Sequence, residues 1–297
     1  MTDKTLFQLY SEHDGKLSDK WSIYLSEYDQ LFTSYRHEEI KLLEIGVQNG
    51  GSLEIWSKYF SMAELLVGCD INPDCGDLKY DDHRVSIIVG DANIDHTEAE
   101  IRRYSNTYNI IIDDGSHVSG DIVESFARYF PLLEEHGLFL AEDLHCSYWR
   151  EFDGGVFEPF SSIAFFKRLA DVINHEHWGL RKARVDLLEG FHKRYNILFD
   201  ETVLSQIHSV EFFNSICVVR KAKAEENQLG LRVIAGSEEN VVQGHSALDQ
   251  KGLKVFDQDA YLGTEFFMPI EEELPLRKTE IATLEMEKDV ALRRNDE

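Results

Sequence analysis

Three isoleucines in a row, Ile110, Ile111 and Ile112, run straight into two aspartates, Asp113 and Asp114. An unbroken β-branched run of this kind reads as a strand buried on both faces, and the carboxylates that end it are delivered to the rim of a sheet. The figure recurs along the chain. Strand-like runs are IKLLEIGV from Ile40, ELLVGCDI from Glu64, VSIIVGD from Val85, YNIIIDD from Tyr108 and GLFLAEDL from Gly137. Helix-like stretches SLEIWSKYF, HTEAEIRRYSN and SGDIVESFARYFPLLEEH follow the first, third and fourth of them. That order predicts an α/β chain: a doubly wound, Rossmann-like, mostly parallel sheet with right-handed crossovers. Two later apolar runs, RVDLLEGFHKRYNILFD and VEFFNSICVVRK, lie close together without a full-length amphipathic helix between them. They predict an antiparallel carboxy-terminal hairpin that completes the sheet.

This pattern assigns residues 1–222 to one domain, 223–267 to an irregular extension and 268–297 to a charged helix. In the last segment Leu274, Ile281 and Leu284 have coiled-coil-like spacing over at most about three heptads. A solvated helix and a homo-oligomer joined through it are even alternatives. The chain stops at Glu297 without a capping signal, which points to a longer natural protein.

A hydrophobic content of 43% with 11% aromatics is that of a globular protein. The formal net charge of -25 is the wrong sign for a nucleic-acid groove, so no nucleic-acid partner is expected. Four cysteines, Cys69, Cys75, Cys146 and Cys217, form no CxxC pair, which argues against a zinc ribbon and a disulfide framework. Cys69 and Cys217 sit in strand-like runs and read as core. The amino terminus has no signal-peptide pattern, and no stretch reaches the roughly 18 to 20 apolar residues that span a bilayer. The expected location is the cytoplasm, with no transmembrane segment.

Chemistry concentrates where strands end. Asp113, Asp114 and His117 follow one strand, and Glu142, Asp143 and His145 follow the next. In open α/β sheets this rim binds ligands. Four carboxylates meeting there would repel one another unless a cation or protonation relieved the charge, and Mg2+ is the natural hard cation for oxygen ligands. The loop EIGVQNGGS, Glu44 to Ser52, lies between a strand and a helix but lacks both GxGxxG and GK[ST]. Asp70 ends the second strand, placed to accept from ribose hydroxyls, and Asp91 follows the third, placed to face an adenine ring or to cap a helix.

The ExGxxxG loop with an acid ending the second strand resembles the class I methyltransferases that use S-adenosylmethionine. The resemblance implies a cofactor site at Glu44, Gly46, Gly50, Ser52, Asp70 and Asp91. Joined together, KWSIYLSEYDQLF, IDDGSH and EDLHCSYW resemble more closely the metal-dependent sugar O-methyltransferases, including the macrolide deoxysugar enzymes, over roughly residues 19–221. That likeness implies Mg2+ held by Asp114, Glu142 and Asp143, with His117 as general base. It also implies an amino-terminal segment, carrying Lys20, Tyr24 and Tyr28, that folds over the cofactor side, which adds Tyr24 to the cofactor residues. His145 stands as a second base, a substrate donor or a loop residue. Asp113 reads as structural, and Tyr148 and Trp149 as flat faces for a sugar or as core. Fewer than fifty residues precede the glycine loop, so the macrolide enzymes' additional amino-terminal domain is not expected.

The chemistry is coherent. A sugar hydroxyl is protonated at neutral pH and attacks a sulfonium methyl slowly, so a cation that lowers its pKa and a base that takes its proton both help. The expected activity is S-adenosylmethionine-dependent, Mg2+-assisted methylation of a sugar or glycan acceptor, with a bacterial surface polysaccharide as one acceptor. Alternatives are a natural-product or catechol-like diol acceptor, and a non-catalytic binding or scaffold module of a glycan-assembly protein.

Overall fold

A computed structural model describes residues 3–262. Two helices, α1 (Leu6–Ser11) and α2 (Ser22–Leu31), precede the sheet. The core then alternates: β1 (Lys41–Ile45), α3 (Gly51–Tyr59), β2 (Leu65–Asp70), β3 (Val85–Val89), α4 (Asp95–Tyr104), β4 (Tyr108–Asp113), α5 (Ser119–Tyr129) and β5 (Leu133–Ala141). Helices α6 (Ser162–Ile173), α7 (Arg184–Leu187), α8 (Glu189–Tyr195) and α9 (Glu201–Leu204) lead to β6 (Ile207–Phe213) and β7 (Ile216–Lys221). The seven strands form one sheet in the order β3-β2-β1-β4-β5-β7-β6. Strands β1 to β5 are parallel, β7 is antiparallel to β5, and β6 is antiparallel to β7. This is the class I methyltransferase fold.

Both faces of the parallel strands are covered, which is why their sequences run apolar without alternation. Leu43, Val67, Ile111 and Phe139 pack with Phe126, Phe165 and Phe166 on one side. Leu42, Leu66, Ile110, Ile112 and Leu140 pack with Tyr28, Phe32 and Trp56 on the other. Cys69 and Cys217 are buried in the first cluster, and the four cysteines are all free and buried. Order reverses between β1 and β4, so their loops leave on opposite faces and open a crevice at the carboxyl ends.

Three stretches differ from the sequence reading. The helix after β4 stops at Tyr129 and a short 3-10 turn, Phe130–Leu132, intervenes, because Pro131 has no N–H to continue an α-helix. PLLEEH therefore does not continue the α-helix: β5 begins at Leu133, and its register with β4 shifts between Tyr108 and Ile110, with His136 at φ 64. The run RVDLLEGFHKRYNILFD is no strand. Val185, Leu188, Phe191 and Tyr195 recur at helical spacing, and Leu188, between α7 and α8, and Phe191, in α8, are buried. The hairpin lies wholly within the second run and the residues before it, turning at Asn214 and Ser215, where Ser215 takes φ 72. Third, α6 had no counterpart in the sequence reading, although Ser161 caps it and Ile163, Phe165, Phe166, Leu169 and Val172 are buried along one face.

After β7 the described chain carries only short 3-10 turns, and it returns to the domain through Gln258, whose N–H donates to the Gly179 carbonyl at 2.8 Å. The coiled-coil-like segment 268–297 lies outside the described residues. No helix among the described residues is long and apolar enough to cross a membrane.

Candidate active site

A cavity of about 470 Å³ opens where β1 to β5 end, and seven aspartates line it: Asp19, Asp70, Asp91, Asp113, Asp114, Asp121 and Asp143. The β1 loop forms its floor. Gly46 adopts φ 93 there, and a Cβ on it would lie 2.0 Å from the Asp114 carbonyl oxygen, so glycine is what lets the β1 and β4 loops touch. Asp70 braces the same loop by accepting from the N–H groups of Val47 and Gln48, each at 2.8 Å. Asp91 accepts from Asn93 N–H at 2.9 Å, and the Asn93 amide donates to the Asp121 carbonyl at 3.0 Å. Asn93 lines the cavity, and its Oδ1 is buried with no hydrogen-bond partner.

Of the cofactor residues expected from sequence, Gly46, Ser52, Asp70 and Asp91 line this cavity. Glu44, Gly50 and Tyr24 stand behind the wall. Glu44 is fully buried, accepting from Ser52 Oγ at 2.7 Å and from Trp56 Nε1 at 3.4 Å. Gly50 takes φ 84 at the start of α3, where its carbonyl accepts from Tyr80. Tyr24 reaches the acids instead.

At the β4 and β5 tips, Asp114, Asp143 and His117 each place one ligand atom within 4.8 Å of the others. His117 Nε2 is 3.7 Å from Asp143 Oδ2. Both His117 and Asp143 sit in the left-handed region, φ 59 and 53, where Asp and His are the less strained non-glycine residues. Glu142 lies deeper. Its Oε1 accepts from the Tyr28 hydroxyl at 2.6 Å and its Oε2 from Lys20 Nζ at 2.8 Å. Lys20 also pairs with Asp114 and lies 3.9 Å from Glu44. The crowding of acids is thus relieved by one buried ammonium and by upward pKa shifts. Burial and Asp114 push Glu142 up to about 8, against the pull of Lys20 and Tyr28. Burial pushes Asp113 up to about 7, against the Ser125 hydroxyl and the Gly115 N–H.

His145 turns away from this centre. Its Nδ1 is 2.6 Å from Ser215 Oγ and 3.8 Å from Asp143 Oδ1, and it lines a second cavity of about 320 Å³ with Tyr148 and Phe212. Aromatic rings link the two histidines around the mouth: Trp21 to His145 at 5.8 Å, His145 to Trp149 at 5.0 Å, Trp149 to Phe152 at 6.2 Å and Phe152 to His117 at 6.5 Å. The sequence reading missed Trp21, Asn93 and Ser215. Asn93 had a local signal, two residues after Asp91. Ser215 had none, because its role follows from β7 returning beside β5.

No protein-family model matches the chain. Over 177 residues it is 34% identical to the 8-demethyl-8-alpha-L-rhamnosyl tetracenomycin-C 2'-O-methyltransferase of Streptomyces olivaceus, covering 56% of this chain and 46% of that one. Over 204 residues it is 32% identical to the demethylmacrocin O-methyltransferase of Streptomyces fradiae, covering 62% and 50%. The MycE methyltransferase of the mycinamycin biosynthetic pathway, in complex with Mg and SAH, superposes with a TM-score of 0.62 at 27% identity, over 76% of this chain and 56% of that chain. The chain is related to the macrolide deoxysugar O-methyltransferases. It spans about half the length of the curated relatives it matches. A second complex of MycE also holds mycinamycin VI, at 25% identity to this chain.

The buried Asp113 carries a stability prediction independent of any ligand. Below pH about 3.9, the ordinary carboxyl pKa, folded and unfolded chains are both protonated there. Between that pH and about 7 the unfolded chain ionises first, so stability falls as pH rises and levels off above the folded value. Asp113→Asn keeps an acceptor for the Gly115 N–H and cannot ionise. Its stability relative to the parent should therefore grow by about 2 kcal/mol between pH 5 and pH 8, read by urea unfolding in EDTA. A pH-independent difference would refute this account.

Proposed function

We propose that this chain is an S-adenosylmethionine-dependent, divalent-metal-assisted O-methyltransferase acting on a sugar hydroxyl of a glycosylated natural product. The observation that carries the reading is the convergence of Asp114, Asp143 and His117 at the edge of an aspartate-lined cavity set in a class I methyltransferase sheet. The relatives' names carry rhamnosyl tetracenomycin and demethylmacrocin, which favours a natural-product sugar over a surface polysaccharide.

The residues fit both groups the reading requires. Asp70 ends β2 inside the cavity, and the unpartnered Asn93 Oδ1 offers an acceptor to a polar ligand edge beside Asp91. Seven carboxylates suit a positively charged sulfonium. Asp114 and Asp143 supply hard oxygen donors for a divalent cation, with Glu142 behind them as the third acid, both of its oxygens engaged by Tyr28 and Lys20. Bound there, the cation would polarise the acceptor hydroxyl and lower its pKa. His117, beside Asp143 and partly open to the cavity, accepts that proton as the oxygen takes the methyl carbon and the carbon–sulfur bond breaks, its electron pair staying on the sulfur of S-adenosylhomocysteine. The aromatic rim gives a sugar ring flat faces, and His145, held by Ser215, offers it a polar edge.

The test is methyl transfer from S-adenosylmethionine to a panel of rhamnosides, deoxysugar macrolides, polysaccharide fragments and catechols. Glycosides should be methylated, EDTA should stop the reaction and Mg2+ should restore it. Turnover of catechols alone would defeat the sugar assignment, and undiminished turnover in EDTA would defeat the metal.

A further inference from the structure

Asp114, Glu142 and Asp143 at the strand tips are all contacted by one segment outside the sheet. Lys20, Tyr24 and Tyr28 are spaced four residues apart, so the two tyrosines share one face of α2 and Lys20 leads into it. Each aims its polar tip at a different point of the site. The Tyr24 hydroxyl donates to Asp143 Oδ1 at 2.7 Å and accepts from the Asp143 N–H at 3.2 Å. The Tyr28 hydroxyl, fully buried, donates to Glu142 Oε1 at 2.6 Å. Lys20 Nζ, with its side chain only 2% exposed, joins Glu142 Oε2 to Asp114. Trp21 adds a fourth contact, its Nε1 3.1 Å from Asp143 Oδ1.

We propose that Lys20, Tyr24 and Tyr28 are positioning residues that fix the carboxylates of Asp114, Glu142 and Asp143 for a divalent cation, so that metal affinity is set from the amino-terminal segment. The inference rests on the metal reading above. Its physical basis is that adjacent carboxylates left to themselves rotate apart, whereas a partner on one oxygen of Asp114 and of Asp143, and on both oxygens of Glu142, fixes the direction of the lone pairs that remain. Partners behind metal ligands are typically worth about 10- to 100-fold in affinity. The ring contacts of Tyr28 with Phe32 at 5.1 Å and Trp56 at 6.0 Å survive replacement by phenylalanine, so the hydroxyl can be removed without opening the core.

Mn2+ binding, followed by the electron paramagnetic resonance of the free ion, is the direct probe. Tyr24→Phe and Tyr28→Phe should each weaken Mn2+ binding, and the double variant should weaken it about 10- to 100-fold. S-adenosylhomocysteine affinity by calorimetry should stay within about twofold, since neither tyrosine lines the cavity. Unchanged Mn2+ affinity in the folded double variant would overturn the positioning role while leaving the metal reading intact. Parallel loss of Mn2+ and S-adenosylhomocysteine binding would make the tyrosines merely structural and would also overturn it. A parent protein that binds no Mn2+ would remove the metal reading and this inference with it.

Discussion

Asp114→Ala should abolish metal-dependent methyl transfer while leaving S-adenosylhomocysteine affinity within a few-fold of the parent. Charge stabilisation by a bound cation contributes several kcal/mol, so the expected loss is on the order of 10³-fold or more in kcat/KM. The site tolerates the deletion because its backbone is held independently of the side chain. Asp114 N–H donates to the Ile45 carbonyl at 2.8 Å, and its own carbonyl abuts Gly46. Removing the carboxylate does not strand the buried ammonium either, since Lys20 keeps Glu142 at 2.8 Å and Glu44 at 3.9 Å. Initial rates across an Mg2+ titration, with calorimetry on the same preparation, separate the outcomes. Near-parental rates would take Asp114 out of the metal site. Lost S-adenosylhomocysteine binding would mean instead that the side chain shapes the cofactor cavity.

The strand tips were readable from sequence because burial on both faces forces an apolar run, and acids at its end mark where the run leaves the sheet; Glu44, buried inside β1 on Ser52 and Trp56, is the exception. Ile110 to Ile112 followed by Asp113 and Asp114 is that transition, and β4 ends at Asp113. Asp70, closing β2, obeys the same rule. Which acids face the cavity was not readable, because it depends on what lies behind them. Glu142 and Asp143 are adjacent in sequence, yet Glu142 turns inward to Tyr28 and Lys20 while Asp143 meets His117. Sequence supplied the segment carrying Lys20, Tyr24 and Tyr28, but its contacts cross more than ninety positions of chain and follow only from α2 packing over the sheet. The glycine loop's close approaches are of chain to chain, Gly46 to Asp114 and Gly50 to Tyr80, and they follow only from the fold. The misplaced hairpin has a similar cause. VEFFNSICVVRK contains β7 and the second half of β6, and its two-residue turn relies on Ser215 in a left-handed conformation that neither glycine nor an Asn-Gly pair announces.

His117→Ala should lower kcat by about 10² to 10⁴, the usual contribution of a positioned base, with smaller changes in acceptor KM and S-adenosylhomocysteine affinity. Geometry distinguishes His117 from His145 for this role. His117 lines the main cavity, whereas His145 is engaged by Ser215 and lines the second one. The position has a complication, since φ 59 strains an alanine by about 1 kcal/mol or more and could shift the loop that carries Asp114. His117→Asn removes the imidazole while tolerating the left-handed backbone, so the two variants should share the loss in kcat if base chemistry is at stake. If Asn restores most of the rate, the conformation of the loop is what matters and His117 is not the base. If both variants turn over like the parent, the proton leaves by another route, and His145, 3.8 Å from Asp143 Oδ1, becomes the residue to replace next.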